Sequence, residues 1–351
     1  MRTTPRILSS EKIMKTIKKD KINTVLDFLI KKYQVFGPVQ KDDLVVDFGR
    51  IQNGAQACLE FSNTNEPAKK LFFPQAETLF SYTGSDAAQV SELKPEKPRI
   101  IFGMRPCDAK SLSLLDAVFD GPDYKDPYYI VKRKNTTIFT LACRRPRSNC
   151  FCDSLGIGPF SKKDTDVFMA DLGDRYVFEP ITPGGADILN KIPGLENARP
   201  TDAERLKNLR SEAESKVARK VDLDNLPEKL ARIFDHPFWD GIHQKCLGCG
   251  ICTYLCPTCH CFDIVDEQKD DKGRRIRIWD SCSYPTFTLE ASGHNPRATG
   301  KERMRQRLMH KFRYFVENYG EIACVGCGRC INHCPVGSDL IREIENINNL
   351  K

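Results

Sequence analysis

The stretch Cys246-Leu-Gly-Cys249-Gly-Ile-Cys252-Thr-Tyr-Leu-Cys256-Pro257 places four cysteines within eleven residues. It recurs as Cys324-Val-Gly-Cys327-Gly-Arg-Cys330-Ile-Asn-His-Cys334-Pro335. Both read C-x2-C-x2-C-x3-C-P, the spacing that holds a [4Fe-4S] cluster. Three cysteines at steps of three curl a loop around one face of a cubane. The fourth begins the next helix and points away, towards the other cluster of a two-cluster pair. Gly248, Gly250, Gly326 and Gly328 let the backbone approach the sulfurs, and Pro257 and Pro335 fix the turn that follows. Zinc is the rival, but zinc sites use separated knuckles or mix Cys with His. Four closely spaced cysteines, ending in Pro and occurring twice, weigh against it. The cross-pairing expected is Cys246, Cys249, Cys252 with Cys334, and Cys324, Cys327, Cys330 with Cys256; the alternative, in which each run closes on its own cluster, stays open in the sequence.

With 351 residues the chain is long enough for two domains. Its 16 cysteines exceed ordinary usage, but disulfide scaffolds are short and secreted. Lys and Arg near the N-terminus, without an apolar h-region, do not read as a secretory leader. No apolar run is long enough to span a membrane. A soluble, cytoplasmic chain in a reducing compartment is expected, its cysteines serving as metal ligands. The net charge is +7. Residues 1–40 hold nine Lys/Arg against three Asp/Glu, and residues 297–313 hold seven against one. Solvated helix faces are the preferred reading of these runs. No nucleic-acid motif accompanies them. A third reading sets cations beside anionic clusters, whose potential they would raise.

Along the chain, residues 11–33 have helical apolar spacing, ended by Gly37-Pro38. Leu44–Phe48 and Ala57–Phe61 read as strands, with Cys58 a small buried hydrophobe on the second. Arg99–Met104 reads as a buried strand entering a turn at Cys107 and then a helix, Ala109–Phe119. Thr136–Leu141 is another strand, followed by Cys143, Cys150 and Cys152. If the two strands are neighbours, four thiols converge at one sheet edge. The residues alone leave a cubane, a zinc site and neither open there. Thr165–Asp171 and Arg175–Phe178 continue as strands. Thr201-Asp-Ala-Glu204 reads as a capping box opening a polar helix to about Lys220, a connector rather than core. Leu226–Phe234 and Lys301–Asn318 are helical, the latter with Met304, Leu308, Phe312 and Phe315 on one face. A polar, hairpin-like stretch lies at Asp270–Gly273. About seventy residues join the two cysteine runs, far more than a compact ferredoxin uses, so a helical two-cluster ferredoxin module is expected. Cys259, His260, Cys261 and Cys282 fit a zinc site or thiols packed beside the clusters; the second is preferred because a further metal would crowd the first run.

No residue set reads as a pocket for acid–base or nucleophilic chemistry, and neither G-x-G-x-x-G nor a Walker A motif occurs. A chain of clusters without substrate chemistry is a wire between sites on other subunits. Phe73-Pro-Gln-Ala-Glu-Thr-Leu-Phe80, Gly-Met-Arg-Pro-Cys107-Asp, Asn-Cys150-Phe-Cys152, Pro-Thr-Cys259-His-Cys261, Trp-Asp-Ser-Cys282 and Gly-His-Asn-Pro-Arg297 occur in order with the two runs. Together they resemble the family typified by the iron–sulfur electron-transfer subunit of anaerobic sulfite reductase and the β subunit of cytosolic sulfhydrogenases, over about residues 30–340. The resemblance implies three [4Fe-4S] clusters, the third on Cys107, Cys143, Cys150 and Cys152. It also implies docking on a subunit that binds FAD and NAD(P).

The resulting expectation is an α/β domain (1–198) with one cluster, a helical connector (199–225) and an all-helical ferredoxin-like domain (226–351) with two. The chain would be a non-catalytic subunit relaying single electrons to a terminal redox subunit of sulfite reductase, hydrogenase or heterodisulfide-reductase type. The alternative is a free-standing ferredoxin-like carrier or redox sensor.

Overall fold

The computed structural model describes residues 13–84 and 97–350; the basic residues 1–12, including the start of the expected first helix, lie outside them. Among the described residues the strands are β1 (Lys15–Lys18), β2 (Gln34–Gln40), β3 (Val46–Arg50), β4 (Ala76–Thr83), β5 (Arg99–Met104), β6 (Thr136–Leu141), β7 (Val167–Asp171), β8 (Arg175–Pro180), β9 (Glu196–Asn197), β10 (Phe262–Lys269) and β11 (Lys272–Trp279). All but β4, β10 and β11 join one sheet in the order β3-β2-β5-β6-β7-β8-β1-β9. β2, β5, β6 and β7 are mutually parallel, and the flanking pairs are antiparallel.

Every residue of β5 is buried, as befits a central strand covered on both faces. On one face, Val25, Leu26 and Leu29 of the helix Ile22–Lys32 and Ile188 and Leu189 of Pro183–Lys191 pack on Ile100, Phe102 and Phe139. On the other, Ala109, Leu112 and Leu115 of Pro106–Phe119 and Tyr129 of Pro127–Lys134 pack on Ile101, Met104 and Ile138. The expected α/β organisation of the N-terminal part therefore holds. Because β5 and β6 are parallel neighbours, their C-terminal ends present Cys107 and Cys143 at one sheet edge.

Several local expectations change. Lys15–Lys18 is a strand paired with β8, so the first helix begins only at Ile22; pairing in the sheet overrides the helical spacing of Ile13 and Ile17. Gly37 and Pro38 lie inside β2 rather than ending a helix. The strand expected from Leu44 starts at Val46, and Leu44 is exposed. Ala57–Phe61 forms no strand, although Ala57, Leu59 and Phe61 still pack against the core. Cys107 lies in the first turn of a helix that starts at Pro106, not in a preceding turn. The polar helix spans Pro200–Ser215. Its first turn is closed by the buried Asp202, whose carboxylate accepts from the Arg199 N–H at 3.0 Å, not by Thr201 and Glu204. Leu206 and Ala213 of this helix bury against Phe168 and Val177.

Residues 226–351 are not all helical. β10 and β11 form a hairpin, with the turn at Asp270-Asp271, in the stretch that reads as hairpin-like. β11 also pairs with β4 from the N-terminal part. The junction is held by buried charges: Arg277 of β11 pairs with Glu77 at 2.6 Å and also with Asp126, and Lys132 pairs with Glu77. Sheet pairing over nearly 200 positions leaves no local signal. The helix expected at Lys301–Asn318 is present from Gly300 to Tyr319, with a π-helical turn at His310–Tyr314. Its Met304, Leu308, Phe312 and Phe315 are buried. Leu308 and Phe312 pack with Trp239, Leu340, Ile341 and Ile344, and Phe151 of the N-terminal part enters the same core. These contacts cross the division drawn from composition.

Candidate metal centres

The two cysteine runs fold alike. Gly248 and Gly326 have φ of 64° and 61°, and Gly250 and Gly328 have 73° and 71°. Each run then enters a four-residue helix, Ile251–Tyr254 or Arg329–Asn332. The left-handed backbone is one reason for the glycines. The second reason is packing against chain rather than against sulfur. A Cβ on Gly326 would stand 2.6 Å from the Cys152 nitrogen, one on Gly328 2.6 Å from the Asn149 oxygen, and one on Gly250 2.7 Å from the Tyr284 hydroxyl.

A first cavity is lined by Cys246, Cys249 and Cys252 of the first run together with Cys330 and Cys334 of the second. Met304, Arg307 and Ser283 help to close it. The Gly248 and Ser338 N–H groups donate to the sulfurs of Cys246 and Cys334 at 3.4 and 3.2 Å. Cys246 and Cys249 are exposed to solvent.

Cys256 points the other way. It is an electrostatic neighbour of Cys324, Cys327 and Cys330. Burial pushes the Cys324 thiol up to about 11 and that of Cys330 up to about 12. Cys256 is held well below the ordinary thiol range, first by a hydrogen bond from Cys259, then by the Lys311 ammonium and Thr258.

A second cavity is lined by Cys107, Cys143, Cys150 and Cys152, with Cys327 of the second run at its edge. It joins the ends of β5 and β6 to the loop that follows, as the topology requires. Burial raises all four thiols, Cys150 to about 12. Arg105 lines the same cavity, and its guanidinium donates to the Ser62, Leu141 and Ala142 carbonyls at 3.1, 3.2 and 2.5 Å. This cavity abuts the second run: Phe151 N–H donates to the Gly326 carbonyl at 2.9 Å, and the Cys150 sulfur lies 3.7 Å from the Cys327 carbonyl oxygen. Arg329, fully buried, pairs with the equally buried Asp108 at 2.8 Å and also donates to Thr64.

Of the remaining cysteines, Cys259 is an electrostatic neighbour of Cys256, and Cys261 of Cys282, all as free thiols. His260 is turned by a 3.0 Å bond between its Nδ1 and the Thr258 carbonyl, with its ring edge-on to His310 at 5.3 Å. Among the described residues no three of His, Cys, Asp and Glu are arranged to hold a single ion. Cys58 lies apart, its sulfur 3.5 Å from Gln40 Oε1.

The donor sets fit cubanes. They are soft thiols, two of the sets spread around cavities, and the Arg307 Nε beside the first cavity is buried without a partner. Sulfide or thiolate there would satisfy it. Missing from the sequence reading are the buried cations Lys69 and Arg329, while Arg307 and Lys311, also buried, fall in the basic run 297–313, whose preferred reading is a solvated face and whose third reading sets cations beside clusters. Its members Lys301, Arg305 and Arg313 do pair at the surface, with Asp240, Asp235 and Glu317, whereas Arg307 and Lys311 turn inward.

Two cysteine runs that share one cavity, with a further cysteine set beside the second, have the donor pattern of an iron–sulfur protein. Residues 245–338 match the family model of the 4Fe-4S dicluster domain. The chain is also 29% identical, over 321 residues, to sulfhydrogenase 2 subunit beta of Pyrococcus furiosus, covering 90% of this chain and 92% of that one. No solved structure matches. The domain match and the relative together support an iron–sulfur electron-transfer subunit.

Proposed function

We propose that this chain relays single electrons through three [4Fe-4S] clusters and performs no substrate chemistry of its own. Cys246, Cys249, Cys252 and Cys334 hold one cluster, Cys324, Cys327, Cys330 and Cys256 a second, and Cys107, Cys143, Cys150 and Cys152 the third. When bound, such clusters accept and return one electron at a time. The observation that carries the reading is the first cavity, in which Cys334 and Cys330 of one run face three cysteines of the other; Cys334, whose sulfur turns back to the Ser338 N–H, is the fourth ligand in this reading. That exchange staples each run to its counterpart and keeps the two centres close.

The chain's own residues order the relay. The first set lies at the surface, where Cys246 and Cys249 are exposed and Leu247 is 69% exposed. In the second set Cys256 and Cys327 are buried and Cys324 and Cys330 half-buried. The third leans on it through Phe151, Gly326 and the Arg329–Asp108 pair. Cys259, Cys261, His260 and Cys282 pack beside the first two sets as positioning groups. Burial keeps water from the inner thiolates, and the cations beside them offset part of their charge.

This reading calls for two partners. One is an FAD- and NAD(P)-binding subunit; the other is a terminal redox subunit of sulfite reductase, hydrogenase or heterodisulfide-reductase type. The named relative is a subunit of a sulfhydrogenase, which favours the last step being hydrogenase-like. A cytoplasmic location belongs to the same reading; among the described residues no helix is long and apolar enough to cross a membrane. Iron and sulfide analysis of anaerobically prepared protein tests the cluster number: about twelve irons per chain are expected from four-iron stoichiometry. About eight irons with one zinc would remove the third cluster and leave the dicluster part.

A further inference from the structure

We propose that Lys311 and Lys69 form a buried cationic clamp that raises the reduction potential of the cluster on Cys256, Cys324, Cys327 and Cys330. This rests on the cluster assignment above. Lys311 Nζ lies 3.1 Å from the Cys256 sulfur, 3.1 Å from Thr258 Oγ1 and 3.0 Å from the Ala323 carbonyl oxygen. Three acceptors meet its three donors, and none is a carboxylate. Lys69 Nζ donates to the Cys259 carbonyl at 2.8 Å and sits 4.1 Å above the Trp279 ring. Both side chains are buried, at 4% and 2% exposure.

An ammonium buried without a counter-charge is costly, by several kcal/mol. Among the described residues no carboxylate pairs with either lysine, whereas Lys19, Lys70, Lys110 and Lys132 all find one. The anion these two lysines face is the thiolate set around Cys256. The backbone is shaped for it. Lys311 sits in the π-helical turn His310–Tyr314, and its own carbonyl accepts from the Ala323 N–H at 2.9 Å, next to Cys324. Such turns occur where a helix is widened for a functional purpose.

Reduction brings one electron from a neighbouring cluster onto this one, with no proton required, and makes it more negative. A fixed cation at hydrogen-bond distance stabilises the reduced form more than the oxidised form, so the potential rises. Arginines stand beside the other two cysteine sets, Arg307 at the first and Arg105 at the third, but no lysine there contacts a sulfur among the described residues.

The test is a dithionite titration of the full, cluster-loaded chain followed by electron paramagnetic resonance. The signal of this cluster is assigned as the one altered by Cys256→Ser. Lys311→Met should shift that cluster alone to lower potential. Lys69→Met, whose lysine contacts no ligand sulfur, should give a smaller shift of the same sign, and Lys311→Arg should restore most of the wild-type value. Unmoved potentials in both Met variants at full iron content would overturn the clamp, as would a shift confined to another cluster. If Lys311→Met loses iron, the Lys69→Met titration decides by the same criteria. Wild-type protein with fewer than about eight irons would instead overturn the two-cluster assignment on which the clamp rests, before any variant is compared.

Discussion

At the residue scale, Gly326 is where the second cysteine run and the loop of the third set share space. Its φ of 61° and the 2.6 Å approach of an added Cβ to both Phe151 and Cys152 backbone atoms leave no flexible side chain to yield. Gly326→Ala is expected to push the Cys150–Cys152 loop away and to lower iron content by about four atoms per chain, one cluster's worth. Metal analysis checks this; unchanged iron and melting temperature would show that the loop is free to move. The Arg329–Asp108 pair carries a second expectation. Arg329→Met strands a fully buried carboxylate, which costs about 3–5 kcal/mol and should appear as a lowered midpoint in urea unfolding. The burial of such cations is the part least visible in sequence. A Lys or Arg in a basic run reads as solvated because most are. Only the fold shows that Arg307 and Lys311 face sulfur while Lys301 and Arg313 pair with the exposed Asp240 and Glu317.

At the element scale, the pieces legible in sequence are those whose signal is local. The spacing of each cysteine run dictates its own curl, and the apolar run Arg99–Met104 with the helix after it dictates a strand that ends at a sheet edge. The pieces that mislead are those whose partners are distant. Ile17 has helical spacing but pairs with Tyr176, and β11 finds β4 across nearly 200 positions. Arg277 binds that junction, and Arg277→Met, which leaves Glu77 and Asp126 short of a partner, should cost about 3–5 kcal/mol in the same unfolding measurement. The packing of the segment after the first run on the helix Gly300–Tyr319 gives a pH expectation. Burial holds His260 down to about 4 and His310 down to about 3, with Lys69 and Lys311 lowering His260 further and Lys311 and Arg297 lowering His310. Both rings are neutral in the fold but take up protons when unfolded below about pH 6.5. Stability is therefore complete above that value and falls as pH drops towards 4, by about 3 kcal/mol for His260 alone. Thermal melts of wild type and His310→Gln between pH 7 and 4.5 should diverge, with the variant losing less. Parallel curves would mean that these rings do not set the acid limit.

At the scale of the whole molecule, the cysteines form one chain of sites rather than two separate modules. The third set rests on the second run, Phe151 enters the C-terminal core, and the hairpin β10–β11 extends a strand from the N-terminal part. The α/β organisation was legible because parallel strands announce themselves as buried runs followed by helices. The joining of the two halves was not, because buried ion pairs and cross-chain strands leave no local pattern. Everything about relay through the middle depends on exchange of the fourth cysteine between the runs. A crystal of the loaded protein, with an anomalous map at the iron edge, shows which sulfur completes each cubane. Cross-ligation requires the Cys334 sulfur on the iron held with Cys246, Cys249 and Cys252, and the Cys256 sulfur on the cluster of Cys324, Cys327 and Cys330. Cys334 bound to the same cluster as Cys324, Cys327 and Cys330 would contradict it.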